Sequence, residues 1–376
     1  MWARPSHLIV GLILAVVPFA GAAITDTPFL ALFPELKNLP APDWVQPGVR
    51  LTYTAGAAAA PVDPEAPGAG GAGYTQIDVV SVTDKQVVLR MTSWGMPANR
   101  GPCHPIGAAS YVGPAGVGTD WYLNPQVLKR ALKLDADGLT VAHMPYKVHG
   151  KTYDAMRFEW EHADGKRVWV YDYKTGVLLH SGFDNDTGAA KLSAYGDLMS
   201  IRTLKAPWAT AAVPDWVGEY KGLHYQGRYT LSVPGDRSYG STLRMDMQVL
   251  DRGATWQRLK RHTERGAIVQ GLPADVDDTV MVTGRAVFGG LWIPPKGLQT
   301  LEDGQVLDTD PHTGIETRVE AVADGAGGER VVRIVERNRI YSSTFTYQLK
   351  TGLLAAARLS FDASHTVFEM ELSGRE

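Results

Sequence analysis

Ten histidines, one cysteine and 40 acidic residues are the groups with which this 376-residue chain could do chemistry. Cys103 stands beside His104 in the run Arg100-Gly101-Pro102-Cys103-His104-Pro105. A thiol nucleophile needs a base within reach. Neighbours on an extended chain point to opposite sides, so this pair reads as a loop cysteine and not as a dyad. None of the histidines shows H-x-H or H-x-x-x-H spacing, and zinc needs three or four converging ligands. Asp184-Asn185-Asp186-Thr187-Gly188 resembles the start of a calcium loop, with oxygen ligands at alternate positions and a glycine for the turn. The twelfth position of such a loop should be a bidentate glutamate and is Tyr195 here. Asp184 and Asp186 are therefore candidate calcium ligands, with a plain hairpin turn as the competing assignment. Asn185-Asp186-Thr187 is also a glycosylation sequon, which matters only in a eukaryotic secretory pathway. Glu159 and Glu161 alternate with Phe158 and Trp160. Their carboxylates stand about 7 Å apart on a strand, a spacing a glycosidase could use but any amphipathic strand provides. No G-x-S-x-G, no H-E-x-x-H and no phosphate-cradling glycine loop is present. No catalytic residue is nominated and no cofactor is expected beyond calcium.

The aromatic residues say more. Ten Trp and 15 Tyr are spread along the chain. Large aromatics bury the most area, and Tyr and Trp add a polar handle. Trp121, Tyr122, Trp292, Trp160 and Tyr171 are the candidate ligand-binding residues. Trp121 and Trp292 lie beside proline and glycine, where a pocket rim would form.

Positioning those residues is the work of a repeat. Pro42-Asp43-Trp44-Val45 recurs as Pro214-Asp215-Trp216-Val217. Trp121-Tyr122-Leu123-Asn124-Pro125 is matched to Trp292-Ile293-Pro294-Pro295. Tyr171-Asp172-Tyr173-Lys174-Thr175-Gly176-Val177-Leu178-Leu179 parallels Tyr347-Gln348-Leu349-Lys350-Thr351-Gly352-Leu353-Leu354. Three landmarks keep their order at offsets of about 170 to 176 residues, the signature of a duplicated unit. Residues 42–204 and 214–376 then form two copies of 163 residues each, joined by a linker at 205–213 and preceded by an extension at 24–41. Phe29, Leu30, Leu32, Phe33 and Leu36 follow helical spacing, so the extension is expected to dock a short helix on the first copy.

Each copy reads as mostly strand. Gln76–Val82, Gln86–Thr92, Ala155–Glu161, Arg167–Tyr173 and Val177–Phe183 are short, rich in β-branched and aromatic residues, and bounded by turn residues. The alternation in Arg157-Phe158-Glu159-Trp160-Glu161 belongs to antiparallel sheets with one wet face. Gly176 and Gly352 supply the positive φ of a hairpin tip, so Lys174 and Lys350 are turn residues. Short helices are expected at Pro125–Leu134, capped by Asn124, and at Lys296–Leu301. Ala55–Gly73 is almost entirely Ala, Gly and Pro and reads as a flexible loop.

Residues 1–23 show a basic start, an apolar run and small residues at Ala20-Gly21-Ala22-Ala23. That is the pattern of a cleaved secretory signal, so the protein is expected to be periplasmic or extracellular. No later stretch reads as a transmembrane segment. One cysteine allows no internal disulfide. With 37 basic residues against the 40 acidic ones, there is no electrostatic footprint for nucleic acid.

An exported β domain of this size, with a Trp-containing start and a late Tyr-Asp-x-Lys-Thr-Gly-x-Leu-Leu hairpin, resembles the periplasmic lipoprotein-carrier group. The resemblance rests on Tyr171–Leu179 and on Tyr347–Leu354. It implies an open, curved sheet closed on one side by short helices, with an apolar concavity for acyl chains or another hydrophobic ligand. The expected fold is thus mainly β: two tandem copies of a curved antiparallel sheet or half-barrel, with one or two short helices each. The expected function is a non-catalytic binding protein for a lipid-like or other hydrophobic molecule. The alternatives are a hydrolase-like enzyme with its site in a cleft between the copies, and a structural or protein-interaction module.

Overall fold

A computed structural model describes residues 27–61, 68–96, 103–163, 165–232, 238–267, 275–325, 328–362 and 366–376. The signal-like residues 1–23 lie outside them. The chain divides into two compact units. Unit 1 is Met1–Gly101 with Pro105–Arg202, and unit 2 is Thr203–Glu376 with Pro102–His104. Both are mainly β, each built on one large antiparallel sheet with few short helices.

In unit 1 the strands are β1 (Val49–Pro61), β2 (Ala69–Val82), β3 (Gln86–Met96), β4 (His104–Pro114), β5 (Leu139–Val148), β6 (Lys151–His162), β7 (Gly165–Asp172), β8 (Leu178–Asp186) and β9 (Ala190–Thr203). Their order is β4-β3-β2-β1-β9-β8-β7-β6-β5. Two meanders, β1–β4 and β5–β9, are thus zipped together where the first strand meets the last. Unit 2 repeats the plan with β10 (Gly222–Ser232), β11 (Ser238–Arg252), β12 (Trp256–Arg265), β13 (Asp275–Gly284), β14 (Val306–Thr309), β15 (Glu316–Asp324), β16 (Arg330–Arg337), β17 (Tyr341–Gln348), β18 (Leu354–Phe361) and β19 (Thr366–Arg375). The order is β13-β12-β11-β10-β19-β18-β17-β16-β15-β14. Among the described residues neither sheet closes into a barrel.

Two of the repeated motifs turn out to be one device. The Trp44 indole N–H donates to the Thr175 carbonyl at 2.9 Å, and Trp216 donates to Thr351 at 2.8 Å. Each Trp therefore caps the Lys-Thr-Gly turn of its own unit. Asp172 accepts from both the Thr175 amide and its hydroxyl, and Gln348 accepts from the Thr351 hydroxyl at 2.6 Å. The Asp-to-Gln change between copies thus keeps an acceptor in place. Gly176 has φ +72°, and a Cβ there would stand 1.8 Å from the Leu123 carbonyl oxygen. Gly176→Ala combines a left-handed penalty of about 1–2 kcal/mol with that clash, so it should lower the thermal midpoint by several degrees. A melting curve matching the parent would contradict this packing.

The Ala/Gly-rich segment differs from expectation. Ala55–Ala59 pairs residue for residue with Gly73–Ala69, extending the β1–β2 hairpin. Small side chains bury little, but their backbone N–H and C=O groups still demand partners, and the ladder supplies them. Residues 62–67, at the tip, lie outside the described ones. The stretch read as a linker is also structured. Ala206 and Trp208 are buried in the core of unit 2, and Trp208 packs edge-on against Phe288.

The N-terminal extension does dock as a helix. α1 (Phe29–Leu32) is followed by a 3₁₀ turn at Pro34–Lys37. Phe29, Phe33 and Leu36 are buried, and Phe29 meets Phe158, Trp169 and Tyr171 edge-on at 5.2–5.4 Å. α2 (Pro125–Leu128) starts from Asn124, whose side chain accepts the Gln126 amide at 2.9 Å. α3 (Pro295–Leu298) is its counterpart. No helix among the described residues is long and apolar enough to cross a membrane.

Candidate functional site

Side chains alternate faces along a strand, so the register decides which residues meet. Tyr53 lies opposite Thr75, Trp169 opposite Ser181, and Arg167 opposite Phe183. Phe183 and Ser181 in turn lie opposite Ala194 and Gly196. These side chains share one face of the central strands β2-β1-β9-β8-β7. α1 covers the part of that face toward β6. Beyond Trp169 the face is left open, and a pocket forms there.

The cavity measures about 80 Å³ and opens to solvent. Ala55, Ser181, Ala194 and Gly196 make a floor of small residues. Tyr53, Trp121, Trp169 and Phe183 make aromatic walls, with Leu178 between them. Tyr53 and Trp121 pack at 4.8 Å between ring centres, and the Tyr53 hydroxyl is tied to the Leu178 carbonyl at 3.0 Å. Walls fixed in this way are preformed, as ligand pockets usually are.

Two charged residues border the pocket. Asp120 takes a hydrogen bond from the Thr27 hydroxyl at 2.7 Å and another from the Trp169 indole at 3.1 Å. Tyr171 donates to the Asp120 carbonyl at 2.9 Å. Burial raises the Asp120 carboxyl above the usual carboxylate range, and the Thr27 and Trp169 hydrogen bonds and the Arg167 charge act against that rise. Arg167 rests its guanidinium over the Phe183 ring at 5.2 Å. No hydrogen bond or ion pair joins Arg167 to any described residue.

The predicted aromatic residues separate into three groups. Trp121 lines the pocket, and Tyr171 supports it through Asp120. Tyr122 and Trp292 are core residues: Tyr122 donates to Ala115 and packs on Trp44, while Trp292 donates to Gln257. Trp160 lies apart, bonded to the Asp137 carbonyl and stacked on His162. Asp120, Arg167, Trp169, Phe183 and Tyr53 were not nominated from the sequence. The readable signal was parity, because Arg167 and Trp169 fall in step with Tyr171 on a recognised strand.

The duplication also needs a one-residue correction. Tyr122 bridges to Val177, and Trp292 bridges to Leu353. Leu178 N–H donates to Trp121, and Leu354 N–H donates to Leu291. Trp292 is therefore the counterpart of Tyr122, and Leu291 stands where unit 1 has Trp121. The backbone contact with the hairpin, not the identity of the Trp side chains, sets the register of the two copies.

With that register, unit 2 fills the same place. Tyr225 keeps the Tyr53 role, donating to Leu354 at 3.0 Å. Phe345 replaces Trp169, Phe368 replaces Ala194 and Met370 replaces Gly196. Met370 is buried in the unit 2 core, with Phe345 and Phe368 packed against it. Gly290 replaces Asp120 and Ser343 replaces Arg167.

The metal and thiol candidates are placed elsewhere. Asp184 and Asp186 are exposed at the end of β8. Asp186 accepts the Gly188 amide at 2.9 Å, and Thr187 closes the same turn on Ala190. Among the described residues no group of three or more His, Cys, Asp or Glu is arranged to hold a metal ion. Cys103 is buried, and burial, aided by the charge of Asp310, pushes its thiol up to about 11. A thiol held protonated in this way is a poor nucleophile at neutral pH.

No known protein family matches the chain, and no curated protein matches it. Among solved structures it is similar to the crystal structure of MucB in complex with MucA(peri), at 11% identity and a TM-score of 0.24, over 69% of this chain and 99% of that one. It is also similar to a DUF3598-family protein of unknown function from Nostoc punctiforme PCC 73102, at 10% identity and a TM-score of 0.15, over 90% of this chain and 97% of that one.

Proposed function

We propose that this protein is an exported, non-catalytic binding protein that holds a hydrophobic ligand in the unit 1 pocket. The observation that carries the reading is the contrast between copies. Unit 1 keeps Ala194 and Gly196 under aromatic walls, and unit 2 fills the matching places with Phe368 and Met370. A scaffold has no need of that opening, because a core packs to high density wherever it can. Export rests on the pattern of residues 1–23.

The test is a titration of the full chain with N-phenyl-1-naphthylamine, a neutral apolar probe that fluoresces on leaving water. At roughly 0.3–0.4 kcal/mol per heavy atom, its dissociation constant should fall between about 10 and 200 micromolar. One site per chain is expected. Absence of saturable binding, or two equivalent sites, would defeat the proposal.

A further inference from the structure

We propose that the unit 1 pocket selects amphiphiles with a single anionic head, a carboxylate or a phosphate monoester, which docks on Arg167 while the apolar tail lies among Tyr53, Trp121, Trp169 and Phe183. This rests on the apolar-ligand reading above and gives it a head group. Arg167 borders the pocket with no ion-pair partner among the described residues. Its guanidinium carbon lies over the Phe183 ring, 5.2 Å from the centroid. A guanidinium fork matches carboxylate and phosphate oxygens. Asp120 feels the Arg167 charge but forms no ion pair with it, and its oxygens accept from Thr27 and from Trp169. The charge belongs to the site and not to the scaffold: unit 2, which fills its pocket, has Ser343 in the place of Arg167.

The experiment compares four ligands of equal chain length on the full protein, below their micelle concentrations: dodecanoate, dodecyl phosphate, dodecanol and dodecyltrimethylammonium. Both anions are expected to bind at least about ten-fold more tightly than dodecanol, and the cation more weakly than dodecanol, a gap of about 1.4 kcal/mol or more. A preference for one anion over the other separates a carboxylate source from a phosphate source. Arg167→Gln should erase the anion preference. Arg167→Lys should retain part of the preference. A cation that binds as well as the anions overturns the proposal, as does an anion preference that survives Arg167→Gln. If no ligand binds, dodecanol included, the apolar-ligand reading fails instead. If the variants do not fold, the ranking of the four ligands on the parent chain still decides.

Discussion

Replacing Asp78 by asparagine is expected to remove about 3–5 kcal/mol of stability from unit 1 and to lower the urea midpoint of its unfolding by about 2 M. Asp78 lies on β2 with 2% of its side chain exposed. Arg50 on β1 grips both of its oxygens, at 2.6 and 2.9 Å, and Arg90 on β3 adds a bond at 2.7 Å. The register places all three in one row, since Asp78 lies opposite Arg50 and opposite Arg90. Burial alone would push the Asp78 carboxyl up. The Arg50 and Arg90 charges, with their hydrogen bonds, overturn that and hold it well below the usual carboxylate range. A neutral amide in place of this carboxylate would leave two largely buried guanidinium groups without their counter-charge.

The same row sets an acid limit. The folded Asp78 titrates below the unfolded value of about 3.9. Its contribution is therefore complete above that unfolded value and is lost as pH falls through the lower, folded one. The Asp78→Asn variant should show a flatter loss of stability between about pH 4 and pH 2 than the parent. The exposed Arg358–Glu369 pair, with both side chains more than half exposed, is the control. Glu369→Gln should change stability by less than about 1 kcal/mol. Equal losses from Asp78→Asn and Glu369→Gln would mean that the buried row carries no special weight.

Gly196→Met and Ala194→Phe, made together, are expected to abolish probe binding while leaving the fold intact. They place in unit 1 the two side chains with which unit 2 fills the equivalent space. A Cβ on Gly196 would stand 3.3 Å from the Ser181 hydroxyl and 3.3 Å from the Thr54 carbonyl oxygen. Both contacts are tight: the hydroxyl can rotate away, and the Thr54 carbonyl, which is strand backbone, must give by a few tenths of an ångström. Met and Phe would then cover the floor between Tyr53 and Phe183. Gly196→Met alone should weaken the neutral probe by at least about ten-fold, a loss of about 1.4 kcal/mol or more. The thermal midpoint should hold or rise, because a filled cavity adds contacts. A double variant that keeps parental affinity would place the ligand elsewhere.

Much of the scaffold was legible because it depends on local pattern. Arg157–Glu161 alternates as a half-wet strand should, and Gly176 marks a hairpin tip by chemistry alone. Asn124-Pro125 announced its helix start. The pocket was not legible, for a physical reason. Its residues come from β1, β2, β7, β8, β9 and the loop carrying Asp120, and they meet only because the first and last strands of the unit pair. No local spacing records that closure. Asp120 and Arg167 belong to no motif, and their proximity is a property of the sheet. Composition misled at Ala55–Gly73, since hydrophobicity counts side chains and the ladder there is made by the backbone. Residue identity misled at Trp121 and Trp292, where the contacts with Val177 and Leu353 show a shift of one.

The most direct test is to locate the ligand. Crystals of the full chain soaked with a brominated dodecanoate should give an anomalous bromine peak in unit 1 between Trp121, Trp169 and Phe183, with the carboxylate on Arg167. A peak in unit 2 at the place of Met370, or on the surface alone, would contradict the assignment of unit 1 as the binding unit.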